Sequence, residues 1–185
     1  VRHRDLGAGL ALRAFEEADA DELFALIEHS RAYLAPWMPW LDRHTTPTDS
    51  LRFIREARVE TAAGTSLQLA IVEHERIVGV VSLYAIDRQA GACRCGYWLA
   101  PERQGCGIAT RAVETLLEHA FGTLGMRRVE LRAAPTNARS RRLAERVGFH
   151  LARTLQRVEQ FPDGLRDQVE YVLRADAWDA SRRAG

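Results

Sequence analysis

The densest chemical signal in the chain is the run Gln104-Gly105-Cys106-Gly107-Ile108-Ala109-Thr110. Two glycines so close together let several backbone N–H groups turn into one concavity with no Cβ in the way. Apolar residues then recur at helical spacing (Ile108, Val113, Leu116, Leu117, Ala120, Phe121, Leu124), so the loop opens a helix whose positive end points back at it. Loop amides and a helix N-terminus together make a seat for phosphate oxygens. The same glycines also fit a tight turn that holds nothing, and the loop alone leaves both readings open. It is neither of two common phosphate motifs: no Lys-Ser/Thr pair follows the last glycine, and the downstream glycine of G-x-G-x-x-G is missing.

Other residues with chemical potential are scattered. Asn137, after Pro135-Thr136, stands where a second helix should open, and Asn is among the best N-caps. Ser140 lies one turn further on the same face. Trp37 and Trp40 lie three apart in the proline-framed stretch 33–47, either as a wall of a binding site or as pins holding that loop to a sheet, and the two are compatible. Cys93 and Cys95 share one side of a strand and Cys106 sits in the glycine loop, but three thiols without a fourth ligand make no zinc site. The six histidines show neither H-E-x-x-H nor H-x-H spacing, so no metal is expected. Arg139, Arg141 and Arg142 form a local basic cluster, read either as a phosphate contact or as a solvated helix face.

The elements that must position these residues follow an α+β, mixed α/β order. A first strand is expected over Leu10–Phe15, a helix over Ala18–His29, an ordered aromatic loop over 33–47, and a second helix from Thr48 or Asp49 to about Thr61. Leu67–Val72 and Ile77–Tyr84 read as a hairpin around Glu73-His74-Glu75-Arg76, and Cys93–Leu99 as the strand feeding the glycine loop. Val129–Ala133 is a strand, Asn137–Val147 a helix stopped by Gly148, and Leu151–Gln160 and Leu165–Leu173 a hairpin turned by Phe161-Pro162-Asp163-Gly164. At 185 residues this suits one domain, 1–185, with a sizeable core. A net charge of +1 excludes a whole-protein field for nucleic acid or an anionic membrane. No apolar run approaches a membrane span, no signal-peptide core is seen, and three cysteines suit a reducing cytoplasm better than a disulfide framework.

These motifs carry a resemblance. Gln104–Ala109 matches the Q/R-x-x-G-x-G/A signature of the GNAT family of N-acetyltransferases, and Tyr97-Trp98-Leu99-Ala100-Pro101 and Asn137…Gly148-Phe149 lie where that family carries their counterparts. The likeness is closest to the RimJ/RimL branch, through Pro36-Trp37-Met38-Pro39-Trp40-Leu41, Gly96-Tyr97-Trp98-Leu99 and Val158-Glu159. The resemblance implies a GNAT fold: a mostly antiparallel twisted sheet of about seven strands with about four helices, splayed at the cofactor site. It implies acetyl-CoA as acetyl donor, held by Gln104, Gly105, Cys106, Gly107, Ile108, Ala109 and Thr110, with backbone N–H groups near Trp98 and Leu99 and the side chain of Asn137 on the pantetheine arm. Many members carry a Tyr acid seven residues after that Asn. Here Ala144 stands there, and the branch places a serine, Ser140, as proton donor to the leaving thiolate and a glutamate, Glu159, as general base. A serine is a poor acid for a thiolate of pKa about 8.5, so Ser140 reads as a hydrogen-bond donor. Each also has a plain reading, Ser140 as a surface serine and Glu159 as an exposed strand carboxylate.

Acid–base arithmetic bears on the acceptor. An α-amine with a pKa of about 7.7–8.0 is partly neutral at cytoplasmic pH, whereas a lysine must shed its proton at a cost of about 4–5 kcal/mol at pH 7. The expected acceptor is therefore a protein N-terminal α-amine, of the ribosomal-protein type, with Trp37 and Trp40 as one wall of its site. The alternatives are a small amine (polyamine, amino acid, aminoglycoside) and, from a different class, a non-catalytic acyl-CoA sensor. Only scattered acids lie near the aromatic loop, which counts against a polyamine, and Glu159 with Ser140 counts against a sensor. The family often forms homodimers, a state the residues themselves do not show.

Overall fold

Local chemistry starts and stops the helices. At Thr46 a capping box with Asp49 and a proline at the first helical position open the helix Pro47–Ala63, and Gly64, at φ 72°, closes it. The computed structural model describes residues 3–183. In chain order they form β1 (His3–Gly7), β2 (Leu10–Ala14), α1 (Ala20–Leu34), α2 (Pro47–Ala63), β3 (Leu67–Glu73), β4 (Arg76–Asp87) and β5 (Ala92–Leu99). Then follow α3 (Ile108–Glu118), β6 (Arg128–Ala133), α4 (Ala138–Val147), β7 (His150–Phe161), β8 (Gly164–Arg174) and α5 (Ala175–Arg183).

The strands make one eight-stranded sheet in the order β1-β2-β3-β4-β5-β6-β8-β7. Every neighbouring pair is antiparallel except β5 and β6. β3 and the first half of β4, residues 77–81, are buried on both faces, which is why they read as nearly continuous apolar runs. On one face Leu12, Leu69, Ile71, Val81, Leu83 and Cys95 pack under Val113, Leu116 and Leu117 of α3 and Leu143 and Val147 of α4. On the other, Ala70, Val72, Val80 and Trp98 pack under Leu23 and Ile27 of α1 and Ile54 of α2. The second helical layer stops short of β6, β8 and β7, where polar side chains line an open floor.

The strand and helix counts exceed the expected seven and four by one each. β1 contains a single apolar residue, Leu6, and is an outer strand, so it shows no alternation to find. α5 anchors through Trp178, buried and tilted against Phe121 at 6.1 Å, a contact between distant segments. α1 runs on to Leu34 and takes in Tyr33, which was expected in the loop.

Candidate active site

The site begins where two strands part. β5 and β6 pair over only four residues, Ala92↔Arg128 to Cys95↔Leu131. Beyond that point β5 stays on β4 as far as Leu99↔Gly79, while β6 stays on β8 as far as Ala133↔Val169. A wedge-shaped gap opens between them. Gly91 accepts the Arg128 N–H at 3.1 Å and Val78 accepts the Ala100 N–H at 2.9 Å, so odd-numbered residues of β5 face β6 and even-numbered ones face β4. Of the two residues expected to offer amides here, Leu99 faces the gap and Trp98 does not. Tyr97 also turns its backbone to the gap; the Trp98 backbone is opposite Val80 and its side chain is buried 6.4 Å from the Trp40 ring.

A cavity of about 1420 Å³ runs through the gap. It exceeds the usual range for one small ligand, about 300–1,000 Å³, and has room for two reactants. Its lining contains Gln104, Gly105, Gly107, Ile108, Ala109 and Thr110 of the loop, Asn137 and Ser140 of the next helix start, and Trp37, Trp40, Trp98, Leu99 and Glu159. Cys106 alone among the predicted residues lies outside it: the thiol is exposed and leans 3.6 Å from the Gln104 carbonyl. Gly105 and Gly107 have φ of +79° and +75°, and a Cβ at either would meet nothing within 4 Å. These glycines therefore serve the backbone conformation and keep the concavity open; they do not relieve a clash within the chain.

Gly107 caps α3, whose first turn carries no acidic residue, so the N–H groups of Ile108, Ala109 and Thr110 and the helix dipole meet no side chain of opposite sign there. Arg103, Arg111, Arg139, Arg142 and Arg146 line the same cavity. The basic cluster of α4 thus divides. Arg139 and Arg142 face the cavity, whereas Arg141 bonds the Tyr171 hydroxyl at 3.1 Å and the Pro135 carbonyl at 2.9 Å. The Gln104 side-chain oxygen accepts from the Tyr33 hydroxyl at 2.8 Å and from Arg139, tying the loop to α1 and α4. Open glycine backbone, free first-turn amides and a ring of arginines fit a pyrophosphate-bearing group.

Asn137 caps α4 by accepting the Ser140 N–H at 3.1 Å. Burial pushes the Tyr97 phenol up, and a hydrogen bond from the Ser140 side chain pulls the other way. Glu159 owes its placement to an irregularity. The β7–β8 register slips between Leu155 and Glu159, with Arg157 at φ 52° and its N–H bonded to Asp167 Oδ1 at 2.8 Å. Among the described residues the Glu159 carboxylate has no hydrogen-bond or ion-pair partner. The aromatic loop is tied down from several sides: Arg31 donates to the Leu41 carbonyl at 2.8 Å, buried His44 bonds Ser50 Oγ at 2.7 Å, and Trp40 lies edge-on to His44 at 5.6 Å. Arg166, stacked 3.9 Å over Phe161, donates to the Pro36 carbonyl at 3.2 Å and so joins the β7–β8 turn to this loop.

Tyr33, Tyr84, Tyr97 and Arg166 were not singled out from sequence. A glycine inside β5, Gly96, was the signal that a side chain crosses the strand there. Among the described residues no cluster of His, Cys, Asp and Glu could hold a metal ion, and no helix is long and apolar enough to cross a membrane. Burial pushes the Cys93 thiol up to about 12 and raises Cys95 as well, which removes both as nucleophiles.

Comparison with known proteins agrees with this geometry. Residues 10–150 match the acetyltransferase (GNAT) domain model. The ribosomal-protein-serine acetyltransferase of Escherichia coli is 25% identical over 91% of this chain and 94% of its own. The structure of RimL, a ribosomal-protein α-N-acetyltransferase, in complex with coenzyme A superposes with a TM-score of 0.87 at 25% identity, over 94% of this chain and 98% of that one. That of MccE, a microcin self-immunity acetyltransferase, in complex with acetyl-CoA and AMP does so at 0.86 and 29% identity, over 91% and 93%. With a wedge between β5 and β6, a glycine loop at the start of α3 and a family match over most of its length, the chain belongs to the GNAT acetyltransferases and is an acetyl-CoA-dependent N-acetyltransferase.

Proposed function

We propose that the acceptor is the α-amine of a protein N-terminus, of the ribosomal-protein type. The observation that carries this reading is Glu159: a carboxylate without a partner among the described residues, just after an irregularity of β7 and lining the cavity that crosses the gap. A single unassisted carboxylate is a modest base, and an α-amine with a pKa of about 7.7–8.0 asks less of a base than a lysine does. The relatives named for ribosomal-protein acetylation support the same choice.

In this reading the amides of Gly105 to Thr110 and the surrounding arginines hold the pyrophosphate, and Arg139 or Arg142 reaches the further phosphate. The Tyr97 and Leu99 backbone groups pair with the pantetheine arm, and Asn137 orders Ser140 beside it. Bound acetyl-CoA supplies an acetyl thioester. Glu159 takes a proton from the amine as the C–N bond forms, and the Ser140 hydroxyl hydrogen-bonds the sulfur as the C–S bond breaks. Trp37 and Trp40 form the acceptor wall.

A second reading has one observation behind it. MccE was captured with AMP as well as acetyl-CoA, and two part-exposed indoles would suit a small acceptor with a planar ring. Thiol release from acetyl-CoA against peptides with free N-termini, lysine side chains, polyamines and aminoacyl nucleotides separates the readings. Peptide α-amines should be turned over fastest. Faster turnover of a small amine would replace the first reading with the second, and tight cofactor binding with no turnover of any acceptor would mean a sensor.

A further inference from the structure

Gly96 stands at the first position of β5 beyond its last pair with β6, Cys95↔Leu131. Its φ is not in the left-handed region, so no turn or cap demands a glycine. Space does. A Cβ at Gly96 would lie 3.3 Å from Tyr84 Cε1, tighter than ordinary contact, and 3.4 Å from Ser82 Oγ, at its lower limit. Ser82 is directly opposite Gly96 on β4 and Tyr84 opposite Arg94, so the Tyr84 ring reaches diagonally across the strand and occupies the room the missing side chain leaves. It rests at the mouth of the gap, on the sheet face opposite α3 and α4.

The Tyr84 hydroxyl has no hydrogen-bond partner among the described residues. It is not among the sealed polar atoms that lack one, Ser30 Oγ and Arg103 Nε, so it is accessible, and Tyr84 lines the cavity. The charged groups acting on it are Arg94, Arg132 and Glu159. Arg94 lies 3.4 Å from Glu130, and Arg132 donates to buried Glu170 at 2.9 and 2.8 Å. Glu159 is the one of the three without an ion-pair partner among the described residues. Tyr84 and Glu159 both line the cavity, and each offers it a hydrogen-bond acceptor, a phenolic oxygen and a carboxylate.

We propose that Tyr84 is a specificity-determining acceptor-binding residue that, with Glu159, takes both N–H groups of a primary amine. A neutral primary amine has two N–H bonds and one lone pair. When two fixed acceptors hold the N–H bonds, the lone pair is left directed at the gap, where the thioester carbonyl must come. As the C–N bond forms, the nitrogen gains positive charge, both hydrogen bonds strengthen, and the gain falls on the transition state. Glu159 then keeps the proton that the nitrogen releases, while the Tyr84 hydroxyl remains a hydrogen-bond partner throughout. A secondary amine offers one N–H when neutral and leaves one acceptor unfilled. The site therefore selects primary over secondary amines. The inference rests on the reading that Glu159 faces the acceptor, but not on that acceptor being a protein.

The test uses two peptides of equal length, one starting with alanine and one with N-methylalanine, followed by thiol release. Wild type should prefer the primary amine. Tyr84→Phe should lower kcat/KM on the alanine peptide about tenfold, the size of one lost hydrogen bond to a group gaining charge. It should also shrink the preference over N-methylalanine and leave acetyl-CoA affinity and the thermal midpoint unchanged. Gly96→Ala, which crowds the ring without removing the hydroxyl, should lower acceptor turnover at unchanged cofactor affinity. Wild-type kinetics in Tyr84→Phe, or an undiminished preference, would overturn the assignment. If wild type ignores both peptides, the protein N-terminus reading falls. The same variants are then compared on a small primary amine that it does acetylate and on its N-methyl derivative, so the two failures stay separate.

Discussion

The glycine loop and the side-chain wall formed by the aromatic loop and the strands β4, β6 and β7 line one cavity, yet they are built in opposite ways. The loop is seven consecutive residues whose useful groups are backbone amides, shaped by two left-handed glycines and a helix start. The wall is side chains: Trp37 and Trp40 from a loop, Tyr84 from β4, Arg132 from β6 and Glu159 from β7. A backbone site takes its shape from φ and ψ, so few residue types serve and a short motif results. A side-chain site takes its shape from sheet register and bulges, so its residues can change while the strands stay. The same fold is accordingly found with a ribosomal-protein acetyltransferase and with a microcin enzyme captured with AMP.

If that division holds, changes on the two sides should separate binding of the cofactor from transfer. Glu159→Gln should cause the largest loss, roughly 100-fold in kcat if the carboxylate is the base, with calorimetric affinity for acetyl-CoA unchanged. Weakened cofactor binding at unchanged turnover would break the comparison. Gly107→Val is the mirror case. A β-branched residue held at φ +75° costs about 1–3 kcal/mol, and its side chain enters the concavity, so the acetyl-CoA Kd should rise at least about tenfold; an unaltered Kd would remove the loop's assignment.

Two smaller effects sharpen the picture. Cys106 at the edge of the loop is exposed while Cys93 and Cys95 are buried, so native alkylation followed by mass spectrometry should give one adduct, and three after unfolding. The aromatic wall should show a pH signature. Burial depresses the His44 pKa, so below the unfolded value of about 6.5 the unfolded chain binds its proton more readily and stability falls with pH. His119 is depressed in the same way. A thermal midpoint followed from about pH 8 to pH 5 should therefore decline in wild type, and less steeply in His44→Gln.

Much of this architecture was legible beforehand because its signals are local. α2 was expected from Thr48 or Asp49 to about Thr61 and runs from Pro47 to Ala63, its ends set by the box of Thr46 with Asp49 and by Gly64. β3 and β4 were legible as two apolar segments around the polar stretch Glu73–Arg76. β1 and α5 were missed because each is held by contacts with distant segments and carries little pattern of its own. That the Trp98 amide faces β4 and not the gap is a matter of parity. Whether a residue of β5 faces β4 or the gap depends on the register of two pairings that lie outside its own segment.

By itself, then, the order of residues determined the class of fold, the glycine loop and the cofactor that such a loop suits, since helix caps, apolar periodicity and glycine backbones act over a few residues. Only the tertiary structure decided which amides enter the gap, that Arg139 and Arg142 turn toward the cavity while Arg141 turns away, and that Tyr84 lies over Gly96 in a cavity that Glu159 also lines. Those placements come from strand register, from a slip in β7 and from the parting of β5 and β6. They are relations between segments far apart in sequence, and no short stretch of the chain encodes them.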